Sequence, residues 1–129
     1  MNKVLLIEPD RVLAEVYKRA IEADGLTKVM SVTGAQTAIM AADKRRPDLV
    51  ILELQLIEHS GLEFLYEFRS YPEWQSIPVL VQTMVPFAEF TDNWHLLQDE
   101  LGVSAYMYKP HTSLRQLLDS IKEHSLVPQ

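Results

Sequence analysis

The chain has 129 residues, 47% of them hydrophobic, a formal net charge of −6 and a pI near 5.1, enough for one domain with a core and too little for two ordinary ones. The acidic balance argues against a nucleic-acid surface, which needs clustered Lys and Arg. With no cysteine there is no disulfide framework, no thiolate nucleophile and no zinc–thiolate site, which fits a reducing cytosol.

No apolar stretch approaches the length that spans a bilayer, and Met1-Asn2-Lys3 runs straight into a short apolar strand. A cytoplasmic domain without a membrane partner is therefore expected. Residues 4–7 have strand length, and Asp10 suits the N-cap of a helix whose Leu13, Val16, Tyr17, Ala20 and Ile21 keep helical spacing up to Gly25. Residues 28–32 read as a weaker strand. Thr33 is the expected cap of a second helix with Ala35, Ala38, Ile39 and Ala42 on one face. The basic run Lys44-Arg45-Arg46 suits that helix's C-terminus better than a phosphate site, and Pro47 closes it.

Residues 49–52 are four large apolar residues in a row, as in a strand covered on both faces, and Glu53 ends the run. A buried carboxylate is costly unless paired, so this one calls for a partner. A short third helix at 62–69 lies between Gly61 and Pro72, and a fourth strand at 78–82. Phe90, Trp94, Leu97 and Leu101 stripe a fourth helix ending at Gly102. A fifth strand at 105–108 and a last helix carrying Leu114, Leu117, Leu118 and Ile121 complete residues 1–125 as one domain, with 126–129 a loose tail. His59, His95, His111 and His124 show no metal-ligand spacing, and the four glycines form no phosphate loop.

Five strand–helix alternations imply a parallel sheet with helices on both faces, where chemistry gathers beyond the C-terminal strand ends. Those ends carry Glu8, Pro9 and Asp10, then Glu53, Thr83, Lys109 and Pro110.

The runs "VLLIEPD", "DLVILELQL", "SGLEFL", "IPVLVQT" and "AYMYKP" resemble the receiver domain of two-component response regulators over nearly the whole chain. The resemblance implies a flavodoxin-like, doubly wound sheet in the order 2-1-3-4-5. It sets Glu8 at the first acid of a metal-binding pair, Glu53 at the phosphoacceptor aspartate and Thr83 at the strand-four hydroxyl. Tyr106 falls at the switch aromatic, Lys109 and Pro110 at a Lys-Pro junction that is often cis, and Gly61 is also in place.

The departures bear on function. Pro9 replaces the acid that ligates magnesium directly, Glu53 replaces the acceptor aspartate, Ile57 stands where a proline is usual, and 83–109 is longer than in most receivers. Magnesium wants several oxygen ligands in strict octahedral geometry, so its binding is expected to be weak or absent, with no other cofactor. A carboxylate one methylene further out is poorly placed for in-line phosphoryl transfer. The expectation is a non-enzymatic, degenerate receiver acting through protein contacts. Glu53 is either a built-in stand-in for the aspartyl phosphate or the remnant partner of Lys109. Working phosphotransfer at Glu53, and a small flavodoxin-like enzyme or cofactor carrier, are the alternatives. The expected partner is a signalling protein, histidine-kinase-like or otherwise, or a second copy. It would bind the face made by the 90–101 helix, the fifth strand and the last helix, where Phe87, Phe90 and Tyr106 form an apolar contact region or fold back over the helix end.

Overall fold

The structure, a computed structural model, describes residues 2–125, so the tail expected at 126–129 lies outside the described residues. Five strands, β1 (Asn2–Ile7), β2 (Thr27–Val32), β3 (Leu49–Leu52), β4 (Val79–Thr83) and β5 (Val103–Tyr108), alternate with α1 (Arg11–Glu22), α2 (Ala35–Lys44), α3 (Gly61–Ser70) and, last, α4 (Leu114–His124). The sheet runs β2-β1-β3-β4-β5 with every pair parallel, the flavodoxin-like order. Central strands bonded on both sides and covered on both faces have no polar face to keep, so β3 is apolar throughout.

Alternation along each strand divides the core. Leu5, Ile7, Val50, Leu52, Val79 and Val81 pack with α2, α3 and Leu97 on one face. Val4, Leu6, Leu49, Ile51 and Leu80 pack with Ala14, Tyr17, Ile21 and Leu117 on the other. Each fully buried Leu or Ile contributes about 1.5–3 kcal/mol relative to leaving it in water.

Local chemistry sets the helix ends. Asp10 accepts from the Leu13 N–H at 3.0 Å, as expected, and Ser113 with Gln116 forms a reciprocal capping box on α4. Gly25, at φ 74°, turns the chain out after α1, a conformation that costs a side chain. Thr33 is not the cap of α2. Gly34 takes that place with no side-chain bond, because the winding that buries Ala38 and Ala42 starts at Ala35.

The expected fourth helix is not a regular α-helix. Residues 87–93 wind as a 3-10 helix, and Leu96–Glu100 widen into a π turn closed by the Leu101 N–H to the Leu96 carbonyl at 3.0 Å. A 3-10 winding eclipses residues three apart, so Phe87 and Phe90 share a side. The wider turn lets Leu97 and Leu101 both reach the core. Gly102, at φ 64°, ends the segment where expected.

The cis junction implied at Lys109–Pro110 is absent: no peptide bond among the described residues is cis. Pro110 instead enters a single 3-10 turn, Lys109–His111, whose fixed φ it suits. No helix among the described residues is long and apolar enough to cross a membrane.

Candidate functional site

Glu8 and Glu53 each sit one residue past a strand, but the ladder continues to them. The Glu8 N–H donates to the Val32 carbonyl and the Glu53 N–H to the Ile7 carbonyl, both at 3.0 Å. The two carboxylates are thereby carried to neighbouring strand ends, and each residue is only 2% exposed. Gly61 makes room for this arrangement, since a Cβ there would lie 2.7 Å from the Leu54 Cα and 2.9 Å from the Glu53 carbonyl oxygen.

Lys109 pairs with both acids. Its Nζ lies 2.5 Å from Glu8 Oε1 and 2.7 Å from Glu53 Oε1. The remaining acceptor capacity is also used. Thr83 Oγ1 donates to Glu53 Oε2, as does the Gln55 N–H at 3.1 Å, while the Met84 N–H reaches Oε1 at 3.2 Å. Glu8 Oε2 accepts from the Asp10 N–H at 3.1 Å. Burial alone would raise the pKa of Glu53, yet the bonds from Lys109, Thr83 and Gln55 outweigh it and hold the carboxyl below its usual range. Burial likewise disfavours the Lys109 ammonium, and its two carboxylates reverse the effect and raise its pKa.

Glu8, Glu53, Thr83 and Lys109 thus converge at the C-terminal edge of the sheet. Pro9, half-buried, offers no oxygen from its side chain, and Asp10 is exposed with Oδ1 committed to the helix cap.

A second group adjoins this one through the backbone. The Val85 N–H donates to Thr83 Oγ1 at 3.1 Å, and the Tyr106 hydroxyl donates to the Val85 carbonyl at 2.6 Å. Phe87 meets the Tyr106 ring edge-on with centroids 5.2 Å apart, Phe90 lies at 5.9 Å and Trp94 at 6.4 Å. Desolvation, with Glu89 and then Glu53 adding negative charge, pushes the Tyr106 phenol up to about 12. Phe90 is half-buried in this aromatic group and Phe87 remains 39% exposed, so the region both folds back and shows a surface.

The response regulator receiver domain model matches residues 4–122. The chain belongs to the receiver family. It is 31% identical over 123 residues to the polar-differentiation response regulator DivK of Brucella anthropi, covering 95% of each chain. It is 29% identical over 110 residues to the KDP operon transcriptional regulatory protein KdpE of Escherichia coli, covering 85% of this chain but only 45% of that protein. Among solved structures, the Vibrio cholerae chemotaxis protein CheY4 superposes with a TM-score of 0.82 at 20% identity over 96% of this chain and 98% of that one. The receiver domain of HemR from Leptospira biflexa gives 0.82 at 23% identity over 100% and 98%.

Within this receiver the remaining expected residues lie apart from the acid cluster. Pro110 is exposed in its 3-10 turn, and Ile57 is 84% exposed. His59 pairs with Glu63 at 2.9 Å, His111 meets the Tyr108 ring, and His124 bonds the Ser120 carbonyl.

Two polar residues are not singled out by the sequence pattern: Gln82 beside the site, and Arg69 at the opposite edge of the sheet, where β4 and β5 begin. Gln82, 2% exposed, donates from Nε2 to the buried Tyr17 hydroxyl at 3.1 Å. A signal for it existed: it is the one polar residue between Val79 and Thr83 and shares the parity of Leu80 on β4. Arg69 donates to the carbonyls of Trp74, Ile77, Leu101 and Gly102 at 2.7–3.0 Å, tying the end of the 87–101 segment to α3. Nothing short of the fold brings those carbonyls together.

Proposed function

We propose that this receiver is a two-component signalling module that works by protein contacts without being phosphorylated, Glu53 standing permanently where a phosphoaspartate would form. The observation that carries the reading is the saturation of Glu53: Lys109, Thr83 and two backbone N–H groups already hold its two oxygens. An attacking carboxylate would have to give up those bonds inside a buried site.

The donor set does not suit magnesium. Two carboxylates against one ammonium leave one negative charge, Asp10 serves the helix, and Pro9 supplies no ligand. A hard divalent ion that keeps strict octahedral geometry finds too few free oxygens here. In this reading the module is neither an enzyme nor a cofactor carrier.

Its output face is built from the 87–100 segment, β5 and α4, and its occupant is a signalling protein of the histidine-kinase type or a second copy of the chain. The bonds from Glu53 through Thr83 and Val85 to Tyr106 supply the connection, and the exposed part of Phe87 and of Met84 supplies apolar contact. A cytoplasmic location and no nucleic-acid partner accord with the charge.

Incubation with acetyl phosphate and Mg²⁺, read by intact mass, tests the reading. No phosphoryl adduct is expected on the wild type, while Pro9→Asp combined with Glu53→Asp regains one. An adduct on wild-type Glu53 overturns the proposal in favour of a working phosphoacceptor.

A further inference from the structure

The face of the sheet toward α1 and α4 ends in a polar row. Glu8 follows Leu6 by two residues, Glu53 follows Ile51, Gln82 follows Leu80 and Lys109 follows Met107, and all four predecessors pack in the same core cluster. Alternation therefore sends Glu8, Glu53, Gln82 and Lys109 to one side of four adjacent strands. Gln82 pairs in register with Met107, two residues before Lys109. Tyr17, from α1, covers the row in that same cluster.

Two hydrogen-bonding capacities in this row are unmatched. Gln82 Oε1 is buried with no partner, and reversing the amide would only transfer the deficit to Nε2. Lys109 has three N–H donors, of which Glu8 and Glu53 take two. An unpaired acceptor in low dielectric is costly, and Lys109, two residues past Gln82's register partner Met107 on the adjoining strand, carries a charged donor. The phenol of Tyr17 feels, after its own desolvation and the Gln82 bond, the charges of Lys109, Glu8 and Glu53.

We infer that Tyr17 and Gln82 are positioning residues for Lys109, and that Gln82 Oε1 is the acceptor to which the lysine turns when Glu53 loses its charge. Tyr17 holds the amide in place, and the amide gives the ammonium a second resting position beside Glu8. The inference deepens the locked-pocket reading: Glu53 decides which of two positions Lys109 takes, and Gln82 keeps the lysine buried in either.

Lysine footprinting with an amine-acylating reagent, quantified by peptide mass spectrometry, tests it. Lys3, Lys28 and Lys44 serve as internal controls, with thermal melting as a check on folding. Lys109 in Glu53→Gln should stay nearly as protected as in the wild type. Glu53→Gln combined with Gln82→Met should label about five-fold faster than either single variant, a coupling of the size found within one hydrogen-bonded network. Tyr17→Phe in the Glu53→Gln background should give an intermediate rate, because it loosens the amide without removing it. A double variant labelled no faster than Glu53→Gln, in a protein that melts normally, overturns the inference and leaves the locked pocket standing. A phosphoryl adduct on the wild type removes the locked pocket but does not touch the coupling.

Discussion

The acid pocket and the aromatic segment 87–106 are neighbours joined by the Thr83–Val85–Tyr106 bonds, yet they are held in opposite ways. Glu8, Glu53 and Lys109 sit at strand ends, where register and parity place each side chain, and their charges have almost no freedom to move apart. The aromatic segment has no regular helix under it and is placed by ring contacts among Phe87, Phe90, Trp94 and Tyr106. The pocket is rigid because breaking it leaves buried charge. The segment is held between Phe87 and Trp94 by ring contacts, with polar ties toward its end, from the Tyr106 hydroxyl to the Val85 carbonyl and from Arg69 to the Leu101 carbonyl.

The comparison breaks most visibly at Lys109. Lys109→Met keeps the stem but leaves two buried carboxylates facing each other, and removing one partner of a buried ion pair costs roughly 3–5 kcal/mol. Urea denaturation at neutral pH should show that loss in the midpoint. A loss below about 1 kcal/mol, the range of exposed pairs, would mean the pocket is open to water.

Trp94→Ala should cost less, about 1–3 kcal/mol, since the ring is half-buried and its neighbours can close over the gap. The remaining tryptophan, Trp74, stacks on Phe68 away from the segment and should keep its fluorescence. Glu53 amide and Thr83 amide NMR shifts that stay near their wild-type positions would confirm that the two regions are held separately. Large shifts there would show that the aromatic packing sets the pocket.

The pocket's contribution to the pH dependence follows from its two perturbed charged groups, Glu53 and Lys109. Glu53 has a folded pKa below its unfolded value, so its contribution is present above the ordinary carboxylate range and is lost as pH falls through the lower folded value. Lys109 has a folded pKa above its unfolded value, so its contribution is full below the ordinary lysine range and is lost as pH rises through the higher folded value. Stability against urea should therefore be flat between these limits and fall on either side, and Glu53→Gln should flatten the acid limb. An acid limb unchanged in that variant would assign it to other carboxylates, Asp24 first, whose bonds to Leu26 and Thr27 also lower its pKa.

The smallest effect is the response to metal. Millimolar Mg²⁺ should leave the melting temperature and tryptophan fluorescence unchanged, because Lys109 already bridges the carboxylates a cation would need. A saturable shift abolished by Glu8→Gln would place a metal in the pocket after all.

The meeting of Glu8, Glu53, Thr83 and Lys109 was legible in the residues because each follows an apolar run of strand length, and parallel strands bring their C-terminal ends to one edge. The expected place of Asp10 at the start of α1 was legible for a similarly local reason, a side chain bonding a backbone three residues on. The stripe at Phe90, Trp94, Leu97 and Leu101 correctly marked what faces the core but not the winding that carries it. Period alone does not distinguish an α-helix from a 3-10 turn followed by a wider one when aromatic packing chooses between them. The Thr33 cap and the cis Lys109–Pro110 junction failed because each is a choice between near-equal local states. Burial of Ala38 and Ala42 settled the first.

By itself, then, the sequence determined the alternation of strands and helices along the chain and which charges stand at the strand ends, because these follow from periodicity and chain connection. Only the tertiary structure decided that Lys109 bridges both acids, that Glu53 has every oxygen occupied, and that Gln82 bonds Tyr17. Those facts depend on distances between residues tens of positions apart, which the packing of helices on the sheet sets and no local pattern records.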